Sequence, residues 1–351
     1  MTTPESAPEA NSGHNDADRD LMVEAATLYY EEQLTQAEIG RRLATSRSTV
    51  SRLLRDAREK GIVQITIHHP VARNSQLEAD LCATFGLRDA RVLRAGQRSQ
   101  REAFDGVGLL AARYLQTTIR AGMVLGVSYG RSIAATIRHL TPPEPVDLVV
   151  VQLLGALGSD NPLIEGANLA RNLATKYGAA YRYLYAPLVV EDVRTRDRLT
   201  REPLVQDVLA LGRQADVALV GIGALGEEAP SLIWRGYLNG SDLKHLQRLG
   251  AVGNMCAQFF DDHGRPIDAD LNRRSISIGL AGLESIGTVV AAAPGPSKAA
   301  AILGALRGGY VDVLISDDHA IEAVLRLHHQ EAVEDANASA EADDQPGAPS
   351  P

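Results

Sequence analysis

The strongest constraint on the fold is a series of short apolar runs in the second part of the chain. The runs are rich in Val and Leu and cover residues 123–127, 148–153, 180–184, 216–221, 275–279, 289–292 and 312–316; three of them end in Gly or Ser. Strands that are apolar on both sides belong to a parallel sheet that is covered on both faces. Stretches of helical pattern alternate with several runs, at residues 131–140, 164–177, 202–213 and 298–307. This βα rhythm predicts a large, doubly wound α/β domain of the Rossmann-like type.

The rhythm changes near Pro70, and the pattern before it is helical. A chain of 351 residues is long enough for two folded units, and 45% of its residues are hydrophobic and available for their cores. We therefore predict a small helical domain in residues 19–69 and the large α/β domain in residues 70–329. The segments 1–18 and 330–351 contain little to bury, and the second is acidic, so composition predicts two disordered tails.

The small domain has the pattern of three helices separated by short turns, at residues 21–31, 36–43 and 47–60. Thr35 and Glu38 form a capping-box pair at the start of the second helix, and Ser46 is a good N-cap for the third. Gly40 lacks a side chain where the two crossing helices would approach each other. The alternating run at residues 62–67 predicts a strand after the third helix. Together these features indicate a winged helix-turn-helix.

The charge distribution sets the small domain apart from the rest of the chain. The chain carries a net charge of −9, but residues 41–60 contain seven cations and two anions. A basic segment on an acidic protein is typical of a surface that binds DNA phosphates. The alternative is an exposed, solvated helix. That alternative explains each feature singly, whereas turn, caps, spacing and charge together favour DNA binding.

A helix-turn-helix places the N-terminal residues of its second helix in the major groove of double-stranded DNA. The predicted contacts to base edges are Arg47, Ser48 and Ser51. Arg52 is placed for either a base or a phosphate. The predicted phosphate contacts are Arg41, Arg42, Arg55 and Arg58. The expected partner is a double-stranded operator.

Other protein classes are disfavoured by what the sequence lacks. No apolar stretch reaches the roughly 18 residues of a membrane span, and the N-terminus has no signal pattern, so we expect a cytoplasmic protein without a membrane partner. Cys82 and Cys256 lack metal-ligand spacing and are expected to be reduced structural thiols. We expect no metal site and no cofactor.

Several segments together resemble the SorC/DeoR-type sugar-binding transcriptional regulators, over about residues 20–327. In the small domain the matching segments are LTQAEIGRRL at 34–43, SRSTVSR at 46–52 and GIVQI at 61–65. In the large domain they are GVSYGR at 126–131, AP at 186–187, DVALVGIG at 216–223, GAVG at 250–253, FDDHG at 260–264 and KAAAI at 298–302. The resemblance implies an effector domain similar to sugar-phosphate isomerases and deaminases, control of carbohydrate genes by a sugar or sugar phosphate, and association into homodimers or homotetramers.

Candidate ligand-binding residues lie where strands of the large domain end. The first group joins a strand to a helix and consists of Ser128, Tyr129, Gly130, Arg131 and Ser132. The free N–H groups at the helix start, the two hydroxyls and Arg131 suit an anion such as a phosphate, while the alternative is a plain βα turn. Gly221 and Gly223 end another strand, and ligands of open α/β sheets bind at such strand ends. The alternative is that these glycines are ordinary turn residues.

Two further candidates stand alone in the sequence. By resemblance, Lys298 meets the phosphate of the ligand at the start of a helix, although a lone Lys at such a position is otherwise usually solvated. Asp261 could accept hydrogen bonds from sugar hydroxyls. The alternative for Asp261 is structural, because Asp-x-x-Gly turns are common.

The main rival interpretation is an enzyme, a sugar-phosphate isomerase or deaminase with an appended DNA-binding module. Such chemistry needs an acid/base pair on the bound sugar, and the related deaminases place Asp and His just after a Gly-x-Gly loop. In this sequence no titratable group follows Gly223 before Glu227, and we predict no catalytic residue. A structural DNA-binding protein without a ligand is disfavoured by the size of the α/β domain. We therefore expect a ligand-controlled, non-enzymatic transcriptional regulator.

Overall fold

The fold is described from a computed structural model, which covers residues 12–63, 71–158, 166–225 and 237–343. The chain divides into two compact units, Met1–Pro70 and Val71–Pro351, at the position where the sequence rhythm changes. Among the described residues, no helix is both long enough and apolar enough to cross a membrane.

The described residues of the N-terminal unit form three helices. They are α1 (Ser12–Tyr30), α2 (Gln36–Arg42) and α3 (Arg47–Glu59). The predicted capping box at the start of α2 is confirmed, because the Thr35 N–H donates to Glu38 Oε2 at 2.9 Å and the Glu38 N–H donates to Thr35 Oγ1 at 3.4 Å. The Thr35 hydroxyl also donates to Glu38 Oε2 at 2.7 Å, and this bond, together with the one from the Thr35 N–H, lowers the pKa of the Glu38 carboxyl. The N-cap of α3 is also confirmed, since the Thr49 N–H donates to Ser46 Oγ at 3.1 Å.

All three helices contribute to one small core. Its buried side chains are Met22, Ala25, Ala26, Leu28, Ile39, Val50, Leu54 and Ala57. The predicted close approach at Gly40 is confirmed, because a Cβ there would lie 2.9 Å from the Thr45 carbonyl oxygen. The predicted wing strand at 62–67 lies outside the described residues from residue 64 onwards. Ile62 and Val63, which precede that gap, form a bend rather than a strand and pack against the core.

The second unit is built on a seven-stranded parallel sheet. Its strands are β1 (Asp89–Leu93), β2 (Val124–Val127), β3 (Val149–Gln152), β4 (Ala180–Arg182), β5 (Val217–Gly221), β9 (Val289–Ala292) and β10 (Val313–Asp317). Their order in the sheet is β1-β10-β9-β5-β2-β3-β4. Without the edge strand β1, this is the doubly wound order of a Rossmann-like fold, as the sequence predicts. A second, antiparallel sheet contains β6 (Gly223–Ala224), β7 (Gly253–Met255) and β8 (Gln258–Phe260).

Helices connect the strands of this unit. They are α4 (Ser75–Phe85), α5 (Gln100–Thr118), α6 (Arg131–His139), α7 (Gly166–Tyr177), α8 (Val193–Leu199), α9 (Pro203–Arg213), α10 (Gly240–Arg248), α11 (Asp270–Arg274), α12 (Gly279–Glu284), α13 (Ala299–Arg307) and α14 (Asp318–Asp343). α5 packs against α6 and α6 against α7, while α13 packs against α14. The apolar strands lie between these helices, which explains why several show no polar face.

The structure corrects one predicted strand and adds four. Residues 275–279 do not form a sheet strand; Ser275 and Ser277 make isolated bridges to Val189 and Leu154, and α12 begins at Gly279. Their apolar side chains are nevertheless buried, which is why their pattern resembles a strand. The edge strand β1 escaped prediction because Asp89 and Arg91 interrupt its apolar pattern. The three strands of the second sheet have at most three residues each, too few for a periodic signal.

Helical backbone extends into both segments for which composition predicts disorder. α1 begins at Ser12, and α14 ends at Asp343. The C-terminal extension is rich in Ala and Glu, which favour helical backbone even where there is little to bury. The helices therefore start earlier and end later than the predicted boundaries.

Candidate functional site

The strand order of the sheet reverses between β2 and β5, and the carboxyl ends of these parallel strands lie at the same edge of the sheet. From β2 the chain proceeds outward to β3 and β4, and it then returns to β5 on the other side of β2. Ligands of open α/β sheets bind at such a switch point. Ser128 follows β2 and Gly221 ends β5, and the Gly221 N–H donates to Ser128 Oγ at 3.3 Å. Two of the predicted segments therefore meet at the switch point.

The turn between β2 and α6 presents the start of a helix at this edge. Gly130 precedes α6 with a φ of 119°, a conformation that favours glycine, and no side chain caps the first turn of the helix. Ser128, Tyr129 and Ser132 are buried in the turn, while Arg131 is exposed. The helix start, with its partial positive charge, combines with Arg131 to favour an anion.

Lys298 follows β9, which pairs with β5 on the side away from β2, and its side chain reaches the turn that carries Arg131. Both Lys298 and Arg131 lie over the ring of Phe104, which belongs to α5. The Arg131 Cζ is 5.2 Å from the ring centroid, and the Lys298 Nζ is 5.8 Å from it. The structure therefore brings together two cations that the sequence predicts separately.

The Lys298 ammonium group lies in an unfavourable electrostatic environment. Burial of the amine, and next the positive charge of Arg131, lower the pKa of Lys298 to about 8, while Asp317 acts in the opposite direction. A bound anion would favour the protonated amine, because an opposite charge at close range raises the pKa of a lysine. An anion bound between Lys298 and Arg131 would therefore offset the repulsion between the two positive charges.

Asp317, at the end of β10, holds the loop that carries Lys298. Its buried carboxylate accepts hydrogen bonds from the Gly295 N–H at 2.6 Å and from the Ala320 N–H at 3.1 Å. A turn of 3-10 helix, Pro296–Lys298, then leads into α13. Asp317 therefore links this loop to the start of α14.

Two of the predicted ligand residues, Gly223 and Asp261, make structural contacts with other described residues. Gly223 pairs with Asn254 between β6 and β7, and a Cβ at Gly223 would lie 2.6 Å from the Asn254 side chain. Asp261 closes its own turn, because its carboxylate accepts from the N–H groups of His263 and Arg265. The Asp261 carbonyl approaches Gly304, six residues beyond Lys298 along α13. Asp261 is therefore not brought together with Lys298.

Sequence reasoning missed two residues of this site. Phe104 is a single aromatic residue within an amphipathic helix, and a core role is the usual reading of such a position. Asp317 does carry a signal, because it is a polar residue at the carboxyl end of a buried strand. Its place beside Lys298 depends on strand order, which the sequence does not show.

The N-terminal unit presents a basic face on α3. Val50, Leu54 and Ala57 of this helix are buried in the core, and its exposed side chains include all the predicted DNA contacts of α3: Arg47, Ser48, Ser51, Arg52, Arg55 and Arg58. Arg41 and Arg42 of α2 are exposed as well.

Some of these side chains already have partners within the unit. Arg42 pairs with Glu32 at 2.9 Å, Arg55 with Asp56 at 3.6 Å, and Ser48 Oγ lies 2.8 Å from Ser46 Oγ. Within the part of the chain that the structure describes, Arg47, Arg52 and Arg58 form no ion pair, but Arg58 Nε donates to the Leu54 carbonyl oxygen at 3.4 Å. Arg47 and Arg52 are therefore the most available cations on α3.

Comparison with known proteins covers both units. Residues 69–326 match the model of a putative sugar-binding domain, and residues 26–60 match that of Sigma-70, region 4. The deoxyribonucleoside regulator of Bacillus subtilis (strain 168) is 31% identical over 306 residues, which cover 87% of this chain and 97% of that protein. The sorbitol operon regulator of Klebsiella pneumoniae is 29% identical, with coverage of 89% and 99%.

Comparison with solved structures also finds a regulator of a sugar operon. The full-length sorbitol operon regulator SorC from Klebsiella pneumoniae superposes with a TM-score of 0.67 at 28% sequence identity, over 88% of this chain and 99% of that chain. The sugar-binding model alone spans well over half of the sequence. The chain therefore belongs to the SorC/DeoR-type family of sugar-binding transcriptional regulators.

Proposed function

We propose that this regulator reads an operator with the exposed face of α3. Arg47, Ser48 and Ser51, near the start of α3, contact base edges, and Arg52 contacts a base or a phosphate. The phosphate contacts are Arg41, Arg42, Arg55 and Arg58. When DNA binds, the ion pairs of Arg42 and Arg55 within the unit are replaced by contacts to phosphates. This assignment is supported by the exposure of all these side chains, six on α3 and two on α2, whereas Val50, Leu54 and Ala57 of α3 are buried.

The effector in this proposal is a phosphorylated sugar that binds at the switch point of the sheet. The observation that carries it is the convergence of Arg131 and Lys298 over Phe104, beside the uncapped start of α6. The phosphate contacts Arg131, Lys298, Ser132 and the N–H groups of residues 129–132. The sugar then lies near Gly221 and Gly223, where relatives controlled by different sugars would differ.

We propose control of carbohydrate genes without catalysis. At the switch point, the carboxylates that lie among the described residues are engaged, because Asp317 accepts from two backbone N–H groups and Asp318 accepts from Ala95. Sugar isomerisation or deamination requires a base that is free to take a proton. This arrangement supports ligand binding, and it disfavours the rival enzyme.

The proposed switch acts through a homodimer or homotetramer assembled by the second unit. Helix-turn-helix proteins bind paired half-sites as dimers, and closed symmetry matches that pairing. The effector shifts the population between two arrangements of subunits only if it binds one of them more tightly. A mass equal to one chain, measured with operator present, would contradict this assembly.

Thermal unfolding with a panel of sugars, each with and without phosphate, tests the effector class. A ligand at 100 times its Kd stabilises the fold by about 2.7 kcal/mol. We expect stabilisation by phosphorylated compounds in the wild type and its loss in Lys298→Met, because that change removes one of the two cations. Lys244→Met is the matched control, since Lys244 is an exposed residue of α10. Stabilisation by free sugars alone would discard the phosphate site.

A second experiment tests the control of DNA binding. Duplexes selected from a random library by the full-length protein provide the operator, and its affinity is then measured with and without the stabilising compound. A change in operator affinity is expected in the wild type and not in Lys298→Met. Turnover of the compound during the assay would instead support the enzyme.

A further inference from the structure

Phe104 is held firmly in the first turns of α5. A capping box starts this helix, in which the Ser99 N–H donates to Glu102 Oε2 at 2.8 Å and the Glu102 N–H donates to Ser99 Oγ at 3.3 Å. The neighbouring residues Ala103 and Val107 are buried in the core of the second unit. Phe104 itself is half-buried, and its ring is the contact that Arg131 and Lys298 share.

Two cations that meet without an anion repel each other, and burial has also removed part of the hydration of the Lys298 ammonium group. The face of an aromatic ring carries negative electrostatic potential and attracts a cation within about 6 Å of its centroid. Both distances at Phe104 fall within that range. A ring at this position therefore offsets part of the repulsion, which an aliphatic side chain of similar size cannot do.

We propose that Phe104 is a positioning residue of the effector site, whose ring holds Arg131 and Lys298 together before the phosphate arrives. The inference rests on the proposed function, since it assumes a phosphate as the ligand. With both cations already in place, binding does not have to order them, so the site gains affinity for a phosphate group. The residue acts through the two cations rather than through contact with the sugar.

The other groups around Lys298 do not provide this effect. Asp317 is the nearby carboxylate that favours the charged amine, but both its oxygens also accept backbone hydrogen bonds. Asp318, the next residue, accepts from the Ala95 N–H and lies 3.6 Å from His319. The residues of β6 and of the first turns of α13 carry no charge. Among the residues that the structure describes, Phe104 and Asp317 are therefore the groups that favour the protonated amine.

Phosphate affinity gives the first test. The variants are Phe104→Leu, which removes the ring, and Phe104→Tyr, which retains it. Phe85→Leu is the matched control, because the ring of Phe85 is also only partly buried but contacts His328 instead. With inorganic phosphate as the probe in calorimetry, we expect Phe104→Leu to bind about fivefold to tenfold more weakly than wild type. Phe104→Tyr and Phe85→Leu should stay within about twofold of wild type, a difference too small to reflect a lost cation–π contact.

Titration of Lys298 gives a second test, which needs no ligand. The chain contains four lysines, Lys60, Lys176, Lys244 and Lys298, so methylation with ¹³C-formaldehyde yields few NMR signals. A Lys298→Arg variant assigns the relevant one. We expect the pKa of Lys298 to be lower in Phe104→Leu than in wild type or Phe104→Tyr, because loss of the ring disfavours the charged amine. The other lysines should titrate as in wild type.

The outcomes separate this inference from the proposed function. If wild type binds phosphate and Phe104→Leu matches Phe85→Leu in both tests, Phe104 has only a packing role and the inference is wrong. If wild type binds no phosphate, the proposed effector class is wrong, and so is the positioning of the cations for it. A loss of affinity and a lower pKa in Phe104→Leu, both restored in Phe104→Tyr, would support the inference.

Discussion

The two units of this regulator present their functional side chains in opposite ways. In the N-terminal unit, the arginines and serines of one helix face outward, while the opposite side of the same helix is buried in a small core. In the second unit, the candidate site draws Phe104 from α5, Arg131 from α6 and Lys298 from the loop before α13. A single helix is therefore sufficient for the first function, whereas the second requires the whole sheet.

This difference predicts that each function can be removed without the other. Gly40→Val should have the largest effect, because its Cβ would lie 2.9 Å from the Thr45 carbonyl in the turn between α2 and α3. Overpacking of this kind costs about 3 kcal/mol at the upper end, a large share of the stability of so small a unit. Operator binding should be lost, and phosphate binding retained. Gly240→Val, at a position with open space around it, is the control. Loss of both functions in Gly40→Val would show that the units do not act separately.

Arg52→Ala tests whether one exposed side chain carries part of the DNA specificity. Loss of a base contact should weaken operator binding by about 1–3 kcal/mol and relax the base preference at one position of the operator. Arg58→Ala is the matched comparison within α3, because a lost phosphate contact should weaken binding to all sequences equally. Binding to operator variants at several salt concentrations separates the two. Equal effects of both variants on all sequences would remove Arg52 from the base contacts.

The same difference explains how much of each unit could be predicted from sequence. Capping residues and Gly40 act within the turn they belong to, so Thr35, Glu38 and Ser46 were identified directly, and their roles are confirmed. The candidate effector site depends on strand order, which brings Ser128 beside Gly221 although they are far apart in the chain. Asp261 illustrates the limit, because the hydrogen bonds that its carboxylate accepts from two backbone N–H groups explain its turn without deciding whether it also binds a sugar hydroxyl.

The pH dependence of phosphate binding tests the burial of Lys298. The pKa of this amine is lowered to about 8, so the amine is protonated below that pH and loses its charge above it. Affinity for phosphate should therefore fall by at most about tenfold per pH unit above 8, since one pKa unit corresponds to about 1.4 kcal/mol. In Lys298→Arg the charge persists, and the affinity between pH 7.5 and 9.5 should be nearly constant. A wild-type profile as flat as that of Lys298→Arg would place Lys298 away from the anion.

The smallest expected effects on stability come from the capping boxes, which both units contain. A capping box starts α2 in the N-terminal unit, with Thr35 and Glu38, and another starts α5 in the second unit, with Ser99 and Glu102. Thr35→Ala and Ser99→Ala should each cost about 1 kcal/mol, as lost N-caps usually do. The consequences should differ, because the unit with the small core has less stability in reserve.

Thermal unfolding followed by operator and phosphate binding measures both sides of this comparison. Thr35→Ala should lower operator affinity at elevated temperature and leave phosphate binding unchanged, because α2 supports only the DNA-binding face. Ser99→Ala should act on phosphate binding alone, since α5 carries Phe104. If the two substitutions affected both activities equally, the stability of each unit would depend on the other. The exposed helix and the sheet edge would then have to be treated as one cooperative structure.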